Sequence, residues 1–340
     1  MITFRKMMVV LLSLFGVLIL AILASLSVGS AKLPPGEIVR VLFRAFSQDW
    51  SDPAQTVILA LRLPRTLLAA FAGAGLAVAG AAFQALTRNP LADPFLLGVS
   101  SGAAFGVVVA QTFGLSRIFP GSVGSPLFAF LGALLSTLGV YLIASSDGRL
   151  PIQTLLLSGV IVGLFFSSAI TLFISFASAS DLPGILHWLL GSLGPIDYGP
   201  LILLLGCLLV GMGMISVQAK SLNLLALGEE AALQLGVEGE RVKRIVFVSA
   251  SLLVGTVVAF SGSIGFVGLI VPHTIRMLFG PDNRLLIPAS ALSGAGFLVL
   301  ADSLARTIVS PAEIPVGVIT SLCGAPFFVY LLRKRYRSAL

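Results

Sequence analysis

Apolar stretches of about 20 residues recur along the whole chain, and they constrain its fold more than any other feature. A helix of that length is what the roughly 30 Å hydrocarbon core of a bilayer requires. Only 10% of the residues are charged, against about 25% in soluble domains. The sequence therefore predicts an all-α, polytopic membrane protein, a single transmembrane domain over residues 1–340, and it excludes soluble enzymes and nucleic-acid-binding domains. The ten predicted transmembrane spans are 7–28, 66–86, 92–112, 126–145, 151–177, 199–218, 244–261, 264–280, 285–304 and 314–332.

The first apolar run begins after Arg5 and Lys6 and extends from Met7 to about Val28. The apolar core of a secretory signal has roughly 7–15 residues, so this run is too long for one. We therefore expect it to be retained as the first membrane helix.

The basic residues set the expected orientation. With the N-terminus inside, 14 of the 21 Lys and Arg residues fall in inside loops and 7 in outside loops. This excess agrees with the positive-inside rule, and Arg333-Lys334-Arg335 directly after the last span is its strongest element. The sequence predicts a multi-pass protein of the cytoplasmic (inner) membrane with both termini cytoplasmic.

Three segments are too polar to span: 30–65 and 179–200 on the predicted periplasmic side, and 219–243 on the cytoplasmic side. The first predicts a short helix at 37–46, and Leu186–Leu190 predicts a short helix lying at the interface. The cytoplasmic segment contains a short amphipathic helix within Leu222–Val237. Such a helix can lie on the bilayer, but Glu229 and Glu230 would face an anionic leaflet poorly, which favours a protein partner.

The predicted spans contain few residues suited to catalysis or to binding ions. All 14 acidic residues lie in loops or near span ends, Asp302 being the deepest, whereas ion-coupled carriers usually keep ionisable groups within the membrane. Neither His187 nor His273 has an acid within four positions, and the chain offers no metal-ligand spacing. None of the five lysines follows a glycine, so no phosphate-binding loop is present. A transporter powered by a separate ATPase is the first hypothesis; an ion-coupled secondary carrier is the alternative, and an enzyme is not expected.

Several motifs then occur in order from about residue 60 to 332. They resemble the signatures of the FecCD-type permeases, the membrane subunits of type II ABC importers for iron-siderophores, haem and cobalamin. The motifs are Arg62-Leu63-Pro64-Arg65-Thr66, Asn89-Pro90-Leu91-Ala92-Asp93-Pro94, Trp188-Leu189-Leu190-Gly191-Ser192, Ala232 to Val237, Gly265 to His273 with Arg276, and Glu313-Ile314-Pro315-Val316-Gly317-Val318 with Gly324-Ala325-Pro326-Phe327.

The resemblance implies a ten-span permease fold, a homodimer with the solute path along its axis, two cytoplasmic ATPases and one periplasmic or lipid-anchored substrate-binding protein. It implies that this chain binds no cofactor and that ATP and Mg are held by the ATPase. The implied docking residues for the binding protein are Arg62, Arg65 and Arg306, whose alternative role is snorkelling at the outer interface. The implied ATPase-coupling residues are Leu227, Gly228, Glu229, Glu230, Ala231, Leu235 and Gly236.

The solute path itself is weakly marked. Ile152-Gln153-Thr154, at the start of the fifth span, is polar near the cytoplasmic face and is the candidate gate, with ordinary interfacial polarity as the alternative. Siderophore, haem and corrinoid permeases share the motifs above, so the cargo stays open, with an iron-siderophore favoured by family abundance.

Overall fold

The computed structural model describes residues 3–29, 34–44, 55–119, 123–309 and 312–337, and in those ranges it consists of helices and their connections. A π-helix, Thr56–Arg62, leads directly into α3, and short 3₁₀ helices, Pro94–Leu97 and Leu115–Ile118, flank α4. The α-helices are α1 Phe4–Ser27, α2 Pro35–Arg44, α3 Leu63–Thr87, α4 Val99–Thr112, α5 Gly124–Ala144, α6 Ile152–Ile174, α7 Leu182–Leu189, α8 Tyr198–Val217, α9 Ala219–Leu225, α10 Glu229–Gln234, α11 Gly239–Ser261, α12 Val267–Phe279, α13 Asn283–Ala305 and α14 Val316–Arg337.

Each of the ten predicted spans corresponds to one of these helices. Seven helices in the described ranges are long and apolar enough to cross a membrane: α1, the continuous helix Thr56–Thr87, α5, α6, α8, α11 and α13. The other three predicted spans correspond to shorter apolar helices, Val99–Thr112, Val267–Phe279 and the apolar part of α14. The all-α polytopic fold is confirmed, and the count of ten full-length spans is not exact.

Helix α3 lies at the centre of the bundle. It packs against α13, α11, α12 and α8, and nearly all of its residues from Leu68 to Leu86 are buried. Its sequence is rich in Ala and Gly, and small residues let helix backbones approach closely where lipid offers no hydrophobic driving force. Around this core, α4 packs on α5 and α6, and α1 packs on α13.

The contact between α3 and α12 shows why small residues are needed. A Cβ at Gly80 would overlap the carbonyl oxygen of Gly268. In α12, Pro272 lacks the N–H that would bond to Gly268. The side chain of Gln84 compensates, because its Nε2 lies 3.4 Å from the oxygen of Gly268 and 3.2 Å from that of Leu269.

The predicted span 92–112 is broken. The chain forms the 3₁₀ helix Pro94–Leu97, turns at Gly98 with a φ of 72°, and then begins α4. Helix α4 has 14 residues and is about 21 Å long, which is too short to cross the hydrocarbon core alone.

The link between α11 and α12 is also different from the sequence-based expectation. The spans predict a very short link, Ser261-Gly262-Ser263, whereas the structure has no helix from residue 262 to 266. Ser261 and Ile264 are buried, so this link lies inside the bundle. The hydroxyl of Ser100 donates to Ser263 at 3.0 Å, so this break faces the break at Gly98. Irregular backbone at membrane depth is tolerated only inside protein or along a cavity.

The predicted interfacial helix at Leu186–Leu190 is α7, and its end is anchored in the bundle. Ile185 is buried, the N–H of Ser192 donates to Ser261 at 3.0 Å, and the N–H of Gly317 donates to Gly191 at 3.2 Å. The predicted helix at 37–46 corresponds to α2, which ends at Arg44; residues 45 and 46 lie outside the described ranges.

Candidate functional site

The three arginines predicted to dock a binding protein lie together at one end of the bundle, here called the arginine end. Arg62 is the last residue of the π-helix, Arg65 lies in the first turn of α3, and Arg306 follows α13. Arg62 Nη1 donates to the carbonyl of Leu26 at 2.7 Å, and Arg306 Nη2 donates to Ser25 Oγ at 2.8 Å. The end of α1 therefore holds two of the arginines in place.

Two acids that the sequence did not pair with these arginines complete the cluster. Asp302, 1% exposed, accepts from Arg65 Nη2 at 3.0 Å and pairs with Arg306 Nε at 3.0 Å. Glu313, whose side chain is 49% exposed, pairs with Arg65 Nη1 at 2.7 Å. Three arginines against two acids leave one positive charge in excess. The i, i+4 spacing of Asp302 and Arg306 was a signal for one of these pairs; Arg65 gave none, because its partners are more than 200 residues away.

The predicted coupling segment forms two helices where the sequence predicted one. Gly228, with a φ of 124°, separates α9 from α10, and Gly236, with a φ of 81°, follows α10. Ala232 is fully buried and anchors α10 to the bundle. Leu227, Leu233 and Leu235 are 68%, 68% and 59% exposed. The opposite end of the bundle, called the α9–α10 end, thus presents three apolar side chains on a segment too polar to lie in lipid.

The predicted gate residues lie beside this coupling segment. Ile152, Gln153 and Thr154 form the first turn of α6 and line a pocket of about 350 Å³. The same pocket is lined by Glu229 of α10 and by Glu240 and Lys243 of α11. The structure therefore brings together two predicted elements that are separated by more than 70 residues in the sequence.

A second network ties α9 to the loop between α12 and α13. Asn223 Nδ2 donates to Asp282 Oδ1 at 2.8 Å, and Asn223 Oδ1 accepts from the backbone N–H of Asn283 at 2.9 Å. Arg284 pairs with Asp282 at 2.6 Å. The hydrogen bond from Arg284, with a further one from Asn223, lowers the pKa of the Asp282 carboxyl from 3.8 to about 2.

A cavity of about 410 Å³ opens where the two helix breaks meet. Gly98, Ser100, Ser101 and Ser263 line it together with Gly159 and Gly163 of α6. The rest of its lining is apolar: Phe95, Leu96, Ala104, Val160, Leu164 and Leu189. The cavity is uncharged, and it borders α6, the helix whose first turn holds the predicted gate. Sequence reasoning missed it, because residues from four separate segments form it.

Among the residues that the structure describes, no group of three or more His, Cys, Asp and Glu side chains could hold a metal ion.

Comparison with known proteins gives concordant results. Residues 17–334 match the model of the FecCD transport family. The chain is 39% identical over 328 residues to the vitamin B12 import system permease protein BtuC of Escherichia coli O17:K52:H18, covering 96% of this chain and 95% of that relative. It is 44% identical over 289 residues to the cobalamin import system permease protein BtuC of Halobacterium salinarum, covering 85% and 76%.

A solved structure shares the fold. It is described as an inward-facing conformation of a metal-chelate type ABC transporter, and it superposes with a TM-score of 0.82 at 34% identity, covering 96% of this chain and 99% of that one.

Proposed function

The chain belongs to the FecCD transport family and is the permease of an ABC importer, and we propose that it carries a bulky metal chelate across the cytoplasmic membrane. It is a transport subunit, and ATP hydrolysis belongs to a separate ATPase. Two relatives are named as cobalamin permeases, which supports cobalamin beside an iron-siderophore or haem as the cargo.

One observation carries the proposal: the exposed α9–α10 segment adjoins the first turn of α6. Leu227, Leu233 and Leu235 would supply apolar contact area for an ATPase. Glu229 and Gln153 line the same pocket, which supports a contact close to the proposed gate. Binding of ATP and Mg by two ATPases would move α10 and reshape the start of α6. Helix α6 also borders the cavity at Gly98 and Ser263, so the same movement can open the path.

We further propose that two copies of the chain form the path between them. The face of α6 carrying Leu157, Ile161 and Leu164 is exposed in the single chain. A second α6 opposite the first would enclose a passage between the two chains, next to the cavity of about 410 Å³ that α6 borders in each chain.

The arginine end is the proposed docking surface for a periplasmic or lipid-anchored binding protein. Its excess positive charge suits carboxylates on the partner, and the planar guanidinium of arginine binds a carboxylate through two parallel hydrogen bonds. Because Arg62 is 7% exposed and held by Leu26, direct contact would fall mainly on Arg65, whose pair with Glu313 is partly exposed.

The positive-inside pattern supports placing the arginine end outside and the α9–α10 end in the cytoplasm, with both termini cytoplasmic.

Reconstitution tests the proposed function. The chain is co-expressed with an ATPase and a binding protein encoded beside it, placed in proteoliposomes, and supplied with labelled cyanocobalamin, a ferric siderophore or haemin. We expect accumulation of one of these only when ATP is inside with the ATPase. The alternative, an ion-coupled secondary carrier, predicts accumulation by the permease alone under a proton or sodium gradient, and that result would refute the proposal.

A further inference from the structure

Lys243 is a buried cation at the α9–α10 end of the bundle. Its side chain is 5% exposed, although it lies only four residues after the start of α11. A buried ammonium group is tolerated only with counter-charges and hydrogen bonds. Lys243 Nζ has two carboxylate partners, Glu229 Oε1 at 3.2 Å and Glu240 Oε1 at 2.6 Å.

The two carboxylates belong to different parts of the machinery. Glu229 is the first residue of α10, on the proposed ATPase surface. Glu240 lies in the first turn of α11, and its second oxygen accepts the backbone N–H of Leu150 at 2.7 Å. An ion pair between Glu229 and Lys243 and two charge-assisted hydrogen bonds, from Lys243 to Glu240 and from the Leu150 N–H to Glu240, therefore connect α10 to Leu150.

Leu150, where this series of contacts ends, is held in place by its surroundings. It is buried, and it follows a tight turn closed by mutual backbone hydrogen bonds between Ser146 and Arg149, at 3.1 and 2.9 Å. It precedes Pro151, after which α6 and the gate residues begin. The main helical neighbours of α10 are α9 and α11. Of these, α11 carries Glu240, whose hydrogen bond to Leu150 leads to the residues directly before α6.

We propose that Lys243 is a positioning residue that transmits movement of α10 to the first turn of α6. The inference rests on the proposed function and adds to it the route by which the ATPase sets the gate. Charge-assisted hydrogen bonds in a partly buried site are about twice as strong as neutral ones, and their geometry is directional. The link can therefore carry displacement in both directions, which packing alone would not do when the helices separate.

The test uses the full complex with the ATPase and binding protein in nanodiscs. A reporter variant, Thr154→Cys, is placed on a background in which Cys207 and Cys323 are replaced by serine. The rate of Cys modification by a water-soluble maleimide is measured without nucleotide and after trapping with ATP and vanadate. We expect ATP to change this rate by about 5-fold or more in the reporter background, the low end of allosteric coupling.

Two variants break the link at different points. Glu229→Gln detaches α10 but leaves Lys243 paired with Glu240, so no buried charge is stranded. Lys243→Met removes the ammonium group that pairs with both acids. The carboxylates of Glu229 and Glu240, 53% and 32% exposed, can then stay hydrated. In Lys243→Met, we expect the ATPase to co-purify in reporter amounts while the ATP-dependent change in Cys reactivity is lost. Glu229 lies on the proposed ATPase surface, so Glu229→Gln is compared on complexes purified with an equal amount of ATPase, and there too the ATP-dependent change should be lost. The double variant should add nothing further, because both substitutions remove one linkage.

Glu238→Gln is the matched control, since Glu238 is an exposed glutamate at the same end and makes no ion pair among the described residues. It should retain the full ATP response. A full response in Lys243→Met or in Glu229→Gln complexes that retain the ATPase would overturn the relay, as would a loss of ATPase co-purification in Lys243→Met. If the reporter background itself neither retains the ATPase nor responds to ATP, the proposed function fails first.

Discussion

Single residues at the arginine end compete for the same guanidinium groups. Asp302 is buried between Arg65 and Arg306 and serves the fold, whereas Glu313 covers Arg65 from the exposed side. An incoming carboxylate from a binding protein would have to displace Glu313. The docking surface is therefore held partly closed by an acid of the chain itself.

Replacing Glu313 by Gln should tighten capture of the binding protein by about 2- to 5-fold, the value of one exposed ion pair of 0.5–1 kcal/mol. Binding of the purified partner to the permease in nanodiscs measures the effect. Asp197→Asn is the control, since it removes one exposed negative charge at the same end without contacting Arg65. Equal tightening in both variants would indicate general charge attraction, and weaker capture in Glu313→Gln would contradict the docking assignment.

Asp282 gives a pH dependence with a defined sign. Its folded pKa of about 2 lies below the ordinary 3.8, so the ionised carboxylate stabilises the fold at higher pH, and this contribution is lost as pH falls from about 4 to about 2. Asp282→Asn should therefore lower the melting temperature at pH 6 and flatten its fall between pH 4 and 2. Melting curves in detergent measure this. Asp147→Asn, in an exposed turn at the same end, should keep the wild-type fall; an unchanged curve for Asp282→Asn would refute the assignment.

At the scale of helices, close packing depends on particular glycines. Gly80→Ala places a methyl group against the carbonyl of Gly268 and should force α3 and α12 apart. Overpacking typically costs about 1–3 kcal/mol, so we expect a lower melting temperature and less folded protein. Gly213→Ala in α8 has open space around its Cβ and should be neutral or slightly stabilising, because alanine favours helix. An equally lowered melting temperature in both variants would show that the close contact between Gly80 and Gly268 does not cause the destabilisation.

The exposed leucines of the α9–α10 segment lead to a prediction about assembly of the permease with its ATPase. Changing Leu227, Leu233 and Leu235 together to Ser should abolish co-purification of the ATPase, because it removes the exposed apolar area. The melting temperature of the permease alone should change little, since these side chains make few internal contacts. Asp147→Asn, outside the segment, should leave co-purification intact. Retention of the ATPase by the triple variant would remove this segment from the interface.

At the scale of the whole molecule, the two ends define two sides of a membrane. Single cysteines at Asp147 and at Asp181, in a chain lacking Cys207 and Cys323, should react with an impermeant maleimide from opposite sides. Position 147 should react in inside-out vesicles and position 181 in right-side-out ones. The reverse pattern would invert the orientation and move the ATPase surface to the wrong side.

The sequence by itself determined the class of fold and the family. Apolar length is a local property summed over neighbouring residues, so hydropathy located the seven long apolar helices and the three shorter ones. The ordered motifs indicated the FecCD permeases. The sequence could not show that the span at 92–112 breaks at Gly98, because the break is stabilised by Ser136 of α5 and by Ser263 of the link between α11 and α12, both distant in sequence.

Only the tertiary structure decided how the functional residues are paired. Arg65 meets Asp302 and Glu313, and Glu229 reaches Leu150 through Lys243, across 80 to 250 positions of sequence. Such pairings depend on how each helix is rotated and how deeply it sits against its neighbours. Those quantities are set by packing of small residues across the whole bundle, and no local stretch of sequence encodes them.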